Sequence, residues 1–488
     1  MPRILSQTLL LTVACSALCA CAVGPNYLRP PVAAAPAFKE PAHAPGWSPA
    51  APAETVLKSD WWTLFQDSAL NDLEAKVAVS NQNVVAAEAA YRQSEALVRE
   101  QKAAFFPTLS LNGSGTRSGS GGSGGSGTII TTPGGGVVSA SGKASTSYRA
   151  SLAASWEPDV WGRIRRQVEA AGANAQASAA DLAAARLSAQ GALATDYFDL
   201  REIDAETALL QATVEGYQQS LKIAQNRFNA GVAPHSDVLQ AQSQLTSTQA
   251  DLADLGRQRA AFEHAVAVLT GQPPETFALA AQPGWTAALP EIPAGVPSEL
   301  LQRRPDVAVA ERRAAAASAQ IGVAVAAYFP SLTLTGSYGY GASELGKLFS
   351  ASNSLWSYGL SAAETVFDGG LRKGQVSAAR AGYDQAVAQY RQAALTAFQN
   401  VEDQLAATRA LTAEYDLRKQ SADAAEAAAQ MVVNQYRAGQ VVYTNVVTAQ
   451  ATALSARRSL VQATATRQTT AVALIQGLGG GWAAPTAR

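Results

Sequence analysis

At 488 residues, with 48% hydrophobic but only 7% aromatic residues and a net charge of −1, the chain excludes several classes at once. Near-neutral charge removes the electrostatic footprint of a nucleic-acid binder, and the three histidines, His43, His235 and His264, have no metal-ligand spacing. Much of the hydrophobic fraction is alanine, and long Ala, Gln, Arg and Leu stretches read as helical tube rather than enzyme core.

From the N-terminus, Arg3 is followed by an apolar run, Ile4 to Ala20, that is too short and too dotted with Ser, Thr and Cys for a membrane span. Residues 1–20 therefore read as a signal peptide. The run closes with Leu18-Cys19-Ala20-Cys21, which resembles a bacterial lipobox, so Cys21 is expected to be acylated and to begin the mature chain; the alternative is a plain secretory signal. Cys15 and Cys19 then leave with the signal, and no disulfide is possible. A single acyl chain anchors weakly, so lipid assists rather than replaces a membrane-embedded part.

The remainder is a duplication. Phe105-Phe106-Pro107-Thr108-Leu109 matches Tyr328-Phe329-Pro330-Ser331-Leu332 at an offset of 223, and Phe228-Asn229-Ala230-Gly231 matches Tyr436-Arg437-Ala438-Gly439 at 208. The difference of 15 is assigned to the Gly/Ser-rich run Gly113 to Gly142, expected as a solvated loop. The boundaries are a leading segment 21–60, a first repeat 61–271, a linker 272–296, a second repeat 297–477 and a tail 478–488. In each repeat a helix (305–329 in the second) runs to F-F-P or Y-F-P, where proline stops it. Strands at about 107–116 and 146–156, and about 330–341 and 354–364, alternate apolar and polar residues with period two. Phe105, Phe106, Trp156, Tyr328, Phe329 and Trp356 stand where the aromatic girdles of membrane barrel strands belong. Four strands cannot close a barrel, and an open edge cannot sit in lipid; three copies would supply twelve.

Helices 163–229 and 372–438 are each 67 proline-free residues, about 100 Å at 1.5 Å per residue. They end at Gly231 and Gly439, suited to left-handed caps, and lead into helices 236–270 and 444–477. Leu200, Ile203, Thr207, Leu210, Val214, Tyr217, Leu221, Ala224 and Phe228 recur at 3-4 spacing, a seam for the antiparallel neighbour. The fold class is thus mostly α with a transmembrane β part: a tandem-duplicated protomer giving four strands of a twelve-stranded trimeric barrel continued by a long α-barrel.

Several motifs resemble one family. Cys21-Ala22-Val23-Gly24-Pro25-Asn26-Tyr27-Leu28-Arg29-Pro30, Trp61-Trp62 with Phe65 and Leu70, Trp156-Glu157-Pro158-Asp159-Val160-Trp161-Gly162-Arg163, Leu301-Gln302-Arg303-Arg304-Pro305-Asp306-Val307 and the two glycine turns are similar to the lipoprotein subclass of outer-membrane efflux factors, the TolC/OprM-like proteins of RND pumps. The resemblance implies a lipid-anchored homotrimer in the outer membrane, reaching into the periplasm toward a membrane-fusion adaptor and an inner-membrane RND transporter. It also implies passive export of small molecules, with multidrug resistance as the outcome, and an equatorial belt built from the termini and the linker. Relatives close the periplasmic tip by a hydrogen-bonded interlock; Tyr436 and Asp237 carry over, whereas Val441 replaces a basic residue of the second link. Tip carboxylate rings of some relatives fall at Asn445 and Thr448. The rival reading makes Tyr436 a heptad core residue and Asp237 a helix cap. Arg227, Gly231, Arg437 and Gly439 mark the tips where an adaptor would dock, although the arginines also suit helix C-terminal dipoles.

Two further readings keep the fold or discard it. A type I protein-secretion duct shares the architecture, and the lipobox and R-R-P-D segment favour small-molecule efflux. An enzyme needs a nucleophile–base constellation, and the sequence offers neither that nor a G-x-S-x-G before a helix, so neither catalysis nor a cofactor is expected.

Overall fold

Proline and glycine punctuate the chain where its elements change. The computed structural model describes residues 22–40, 60–119, 144–285, 288–290, 292 and 303–481; the signal peptide, Cys21, Leu301, Gln302, most of the Gly/Ser run and the tail beyond 481 lie outside them. The described residues form helices α1 (Ser68–Ser80), α2 (Gln82–Ala103), α3 (Arg163–Asn229), α4 (His235–Leu269), α5 (Pro305–Ala326), α6 (Leu371–Arg437) and α7 (Tyr443–Gly477). Strands are β1 (Thr108–Ser118), β2 (Ser145–Trp156), β3 (Ser331–Ala342) and β4 (Ser354–Ala363). Two compact units emerge.

The first unit comprises the described parts of Met1–Leu28, Glu95–Ala173 and Ala315–Asp384. Its four strands form one antiparallel sheet in chain order. Gly113 and Gly115, where the expected strand of about 107–116 overlaps the Gly/Ser-rich run, are strand residues, and β1 runs on to Ser118 opposite Ser145. α5 stops at Ala326, three residues before its expected end; Tyr328 and Phe329 follow in tight turns onto the carbonyls of Val325 and Ala326, ahead of the proline that cannot continue a helix. Asp159 caps α3, accepting from the backbone N–H groups of Ile164 and Arg165 at 2.9 Å each. Buried Arg166 donates to the carbonyls of Val23 (3.2 Å) and Gly24 (3.3 Å) and to Asn26 Oδ1 (2.9 Å), holding the N-terminal segment. Gly24, at φ +93°, lies so close to Gly322 that a Cβ would stand 2.4 Å from its Cα.

The second unit comprises the described parts of Arg29–Ser94, Asn174–Ala314 and Gln385–Arg488. The helix expected before β1 is two helices. Asp67 caps α1, accepting from Ala69 and Leu70, while Asn81 breaks the run, accepts from the N–H groups of Asn83 and Val84 and donates to the Leu269 carbonyl at 2.9 Å. Around them sits the main core, Trp61, Phe65, Leu70, Val77, Leu193, Tyr197, Phe198, Val472 and Ile475. The inter-repeat linker is tied down by charge. Asp204 accepts from Arg201 (2.8 Å), Arg259 (2.8 Å) and the Gln282 N–H (3.0 Å), and the two arginines reach the carbonyls of Ala280 and Leu279. Along α3 the heptad residues Ile203, Leu210, Val214 and Tyr217 are buried against α4 at Leu245, Leu252 and Leu255. Phe228 departs from that seam: it is 42% exposed, with its ring 5.0 Å from His235.

Candidate functional site: an apolar sheet face and a helical tip

Strand register aligns the alternating residues into rows. Leu111 pairs with Leu152, Leu152 with Tyr338 and Tyr338 with Trp356, so one row crosses the whole sheet on one face. These side chains are exposed, Leu111 by 82% and Trp356 by 69%. The opposite face is hydroxylated: Thr116 contacts Ser147 at 2.9 Å, Ser118 contacts Ser145 at 3.1 Å, and Ser337 contacts Ser357 at 2.8 Å. A wall with one oily and one wettable face divides hydrocarbon from water. Among the described residues β1 and β4 are its edges, each with a strand partner on one side only.

Aromatic residues occupy two levels. At the proline end, Phe106 is 70% exposed, Trp156 Nε1 donates to the Phe105 carbonyl at 2.9 Å, and Trp161 stacks on Phe329 with centroids 4.9 Å apart. Arg372 covers the Tyr328 ring at 5.4 Å. Trp356 belongs to the other level, stacked on Tyr358 at 5.7 Å. The two tryptophans differ by four register steps, since Trp156 faces Leu334 and Trp356 faces Tyr338; that is about 13 Å at about 3.3 Å per residue.

At the tip of the second unit, α3 and α6 end in the same motif. Gly231 (φ +73°) and Gly439 (φ +76°) take the left-handed conformation. Their N–H groups bond the carbonyls of Phe228 and Tyr436, while the next residues reach back to Arg227 and Gln435, the paired bonds of a Schellman cap. Behind these turns Tyr436 and Tyr443 are buried, with rings 5.1 Å apart. The Tyr436 hydroxyl donates to Asp237 Oδ2 at 3.1 Å. Asp237 lies in the first turn of α4, whose N-cap is Pro234 without a side-chain bond; its carboxylate is engaged by Tyr436, and the helix N-terminus favours its charge. Arg227 is turned onto Tyr436, donating to its carbonyl at 2.9 Å and lying 4.8 Å over its ring. Burial, reinforced by the Asp237 charge and hydrogen bond and opposed by Arg227, pushes the Tyr436 hydroxyl up to about 12, so it stays a donor. Asn445, Thr448 and Arg437 are exposed; Thr448 donates to its own helix at Thr444. Sequence reading missed Tyr443 as Tyr436's neighbour, although the 208 offset sets it opposite His235, at the start of the matching helix.

Comparison with known proteins fits this geometry. The family model for outer membrane efflux proteins matches residues 75–272 and 296–480. The pyoverdine export outer membrane protein OpmQ of Pseudomonas aeruginosa is 30% identical over 423 residues, covering 86% of this chain and 87% of its own. Among solved structures, the outer-membrane channel OprN superposes with a TM-score of 0.85 at 30% identity, over 95% of this chain and 100% of that one. The open state of the Neisseria gonorrhoeae outer membrane channel MtrE superposes with a TM-score of 0.83 at 28% identity, over 96% and 100%. The fold is TolC-like, and the chain belongs to the outer membrane efflux protein family.

Proposed function

We propose that this protein is one third of a passive exit duct through which an RND-type pump, joined by a periplasmic adaptor, discharges small molecules across the outer membrane. The observation that carries the reading is the sheet. Its apolar row is exposed across all four strands, its other face is hydroxylated, and it ends in two unpaired edges. Unpaired backbone groups cannot remain in hydrocarbon, so copies must join edge to edge; three give twelve strands, an even number within the usual range. The acyl group on Cys21 and the aromatic levels around Phe105, Phe106, Trp156, Tyr328, Phe329 and Trp356 fix the depth of insertion.

The tip is the gate in this reading. The Tyr436–Asp237 hydrogen bond holds α6 against α4 in the closed state, and Arg227 braces it. An adaptor hairpin seated around Gly231, Gly439 and Arg437 opens the duct by binding the open state more tightly. Asn445 and Thr448 place neutral groups where a carboxylate ring would select cations. The duct performs no chemistry; the inner-membrane transporter supplies the energy. Purified protein should run as a trimer in detergent and produce discrete conductance steps in planar bilayers. A monomer without conductance would overturn the proposal.

A further inference from the structure

The two hairpins of the sheet share one register. Moving β1 residues forward by 223 and β2 residues by 208 turns the pair Leu111–Leu152 into Leu334–Leu360, and Gly113–Ala150 into Gly336–Tyr358; both are observed pairs of β3 and β4. The duplication therefore preserved strand alignment to the residue. Within the sheet, β2 against β3 joins the first repeat to the second. The free edge of β4 is the second repeat's counterpart of that β2 edge, and the free edge of β1 is the counterpart of β3.

We infer that β4 of one copy pairs with β1 of the next in the register that the β2–β3 junction dictates; this rests on the reading above, that copies of the chain complete the barrel. Applying the same offsets, Ala154–Gly336 becomes Ala362 opposite Gly113, Ala153–Ser337 becomes Ser361 opposite Ser114, and Leu152–Tyr338 becomes Leu360 opposite Gly115. The chemistry of the two edges fits this alignment. Even-numbered β4 residues on the apolar face meet odd-numbered β1 residues on the same face, so neither row crosses into the lumen; a slip of one residue would reverse every side chain. Leu360 meets Gly115, over which the Tyr148 ring of the same chain lies, 3.2 Å from where a Cβ would stand, so the leucine faces an aromatic surface on the apolar side. A Cβ on Gly113 would meet nothing within 4 Å, as at its counterpart Gly336 inside the sheet, so Ala362 opposite Gly113 repeats the Ala154–Gly336 pair. Ser361 opposite Ser114 extends the hydroxyl pairs already present at Ser337–Ser357 and Thr116–Ser147.

Disulfide trapping in outer membranes tests the register. Facing residues of antiparallel strands lie about 4.5–5.5 Å apart at Cα, within the about 4.4–6.8 Å that a disulfide spans, and all three native cysteines fall within the first 21 residues. The double variants Ser361→Cys with Ser114→Cys, and Ala362→Cys with Gly113→Cys, sample both kinds of facing pair. Under copper–phenanthroline at least one should give covalent dimers and trimers that dithiothreitol returns to monomers. Ser361→Cys with Asn112→Cys or Thr116→Cys, displaced by two residues, should give at least fivefold less, as should the parent chain. Efficient trapping of a displaced pair overturns the register while leaving the edge-to-edge assembly intact. Absence of trapping in every pair, with the variants still trimeric by light scattering, overturns the β4–β1 seam. Monomers by light scattering overturn the assembly itself.

Discussion

Glu74 is wholly buried on α1, and among the described residues neither carboxyl oxygen has a hydrogen-bond partner. Burial raises its pKa to about 9, so the folded chain holds it protonated while the unfolded chain ionises it near 4.5. The folded state therefore binds more protons between those two values, and stability falls as pH rises through that window. At about 1.4 kcal/mol per pH unit, the loss between pH 5 and pH 8 is at most about 4 kcal/mol. Glu74→Gln keeps the shape and removes the titration. Guanidinium unfolding followed by tryptophan fluorescence reads this region, because Trp61, Trp62 and Trp285 lie in or against the same core. The parent midpoint should fall from pH 5 to pH 8 and the variant's should stay nearly level, with the two meeting near pH 5. Parallel pH profiles would refute a buried neutral acid at this position.

Tyr436→Phe removes a hydrogen bond to a charged acceptor, about 1.5–3 kcal/mol, while keeping the ring beneath Arg227; in bilayers it should raise the open probability, and unchanged gating would remove Tyr436 from the closing contact. Asp204→Ala strands buried Arg201 and also releases Arg259 and the Gln282 N–H; a cost of about 3–5 kcal/mol is expected for an uncompensated buried charge, read as a lower unfolding midpoint and faster proteolysis of the linker. Leu109→Arg places a charge on the apolar face midway between the two aromatic levels, in register with Ala154 and Gly336, and should cost about 2–4 kcal/mol. Ser110→Arg, on the hydroxylated face, should insert normally; equal loss of folded protein from both would contradict the assigned faces.

Local rules carried the reading of the architecture and failed where distant segments meet. Proline at 107 and 330, period-two alternation and the two offsets are short-range signals, and the strands follow them. So do the long helices, since nothing between Arg163 and Asn229 interrupts a helix. The break at Asn81 was readable in principle: an Asx residue before Gln82 is an N-cap signal, though a weak one inside a helical pattern. The Arg201–Asp204–Arg259 cluster was not readable, because its partners at 279, 280 and 282 are loop residues whose position depends on the folded core. Glu74 was equally invisible; a single acidic residue in an amphipathic stretch reads as solvated until burial is known.

The tip shows where duplication ceased to be symmetric. Under the 208 offset that superposes α3 on α6 and α4 on α7, Tyr436 corresponds to Phe228 and Asp237 to Asn445. The second copy's hydroxyl meets the first copy's carboxylate at 3.1 Å, whereas the mirror pair has neither a hydroxyl nor a charge. Phe228 is correspondingly 42% exposed, while Tyr436 is 3% exposed. If Tyr436–Asp237 is the closing latch proposed above, the duct has one latch per chain, and the mirror position would fall between adjacent chains of a trimer. Phe228→Tyr with Asn445→Asp should install a second latch there, adding about 1.5–3 kcal/mol per contact to the closed state and reducing open probability in planar bilayers. Phe228→Tyr alone would find only the neutral amide oxygen of Asn445, about 0.5–1.5 kcal/mol, and Asn445→Asp alone should do little, because Phe228 offers no donor. A double variant that gates like the parent would mean that the two tips are not related by the duplication's pseudo-symmetry.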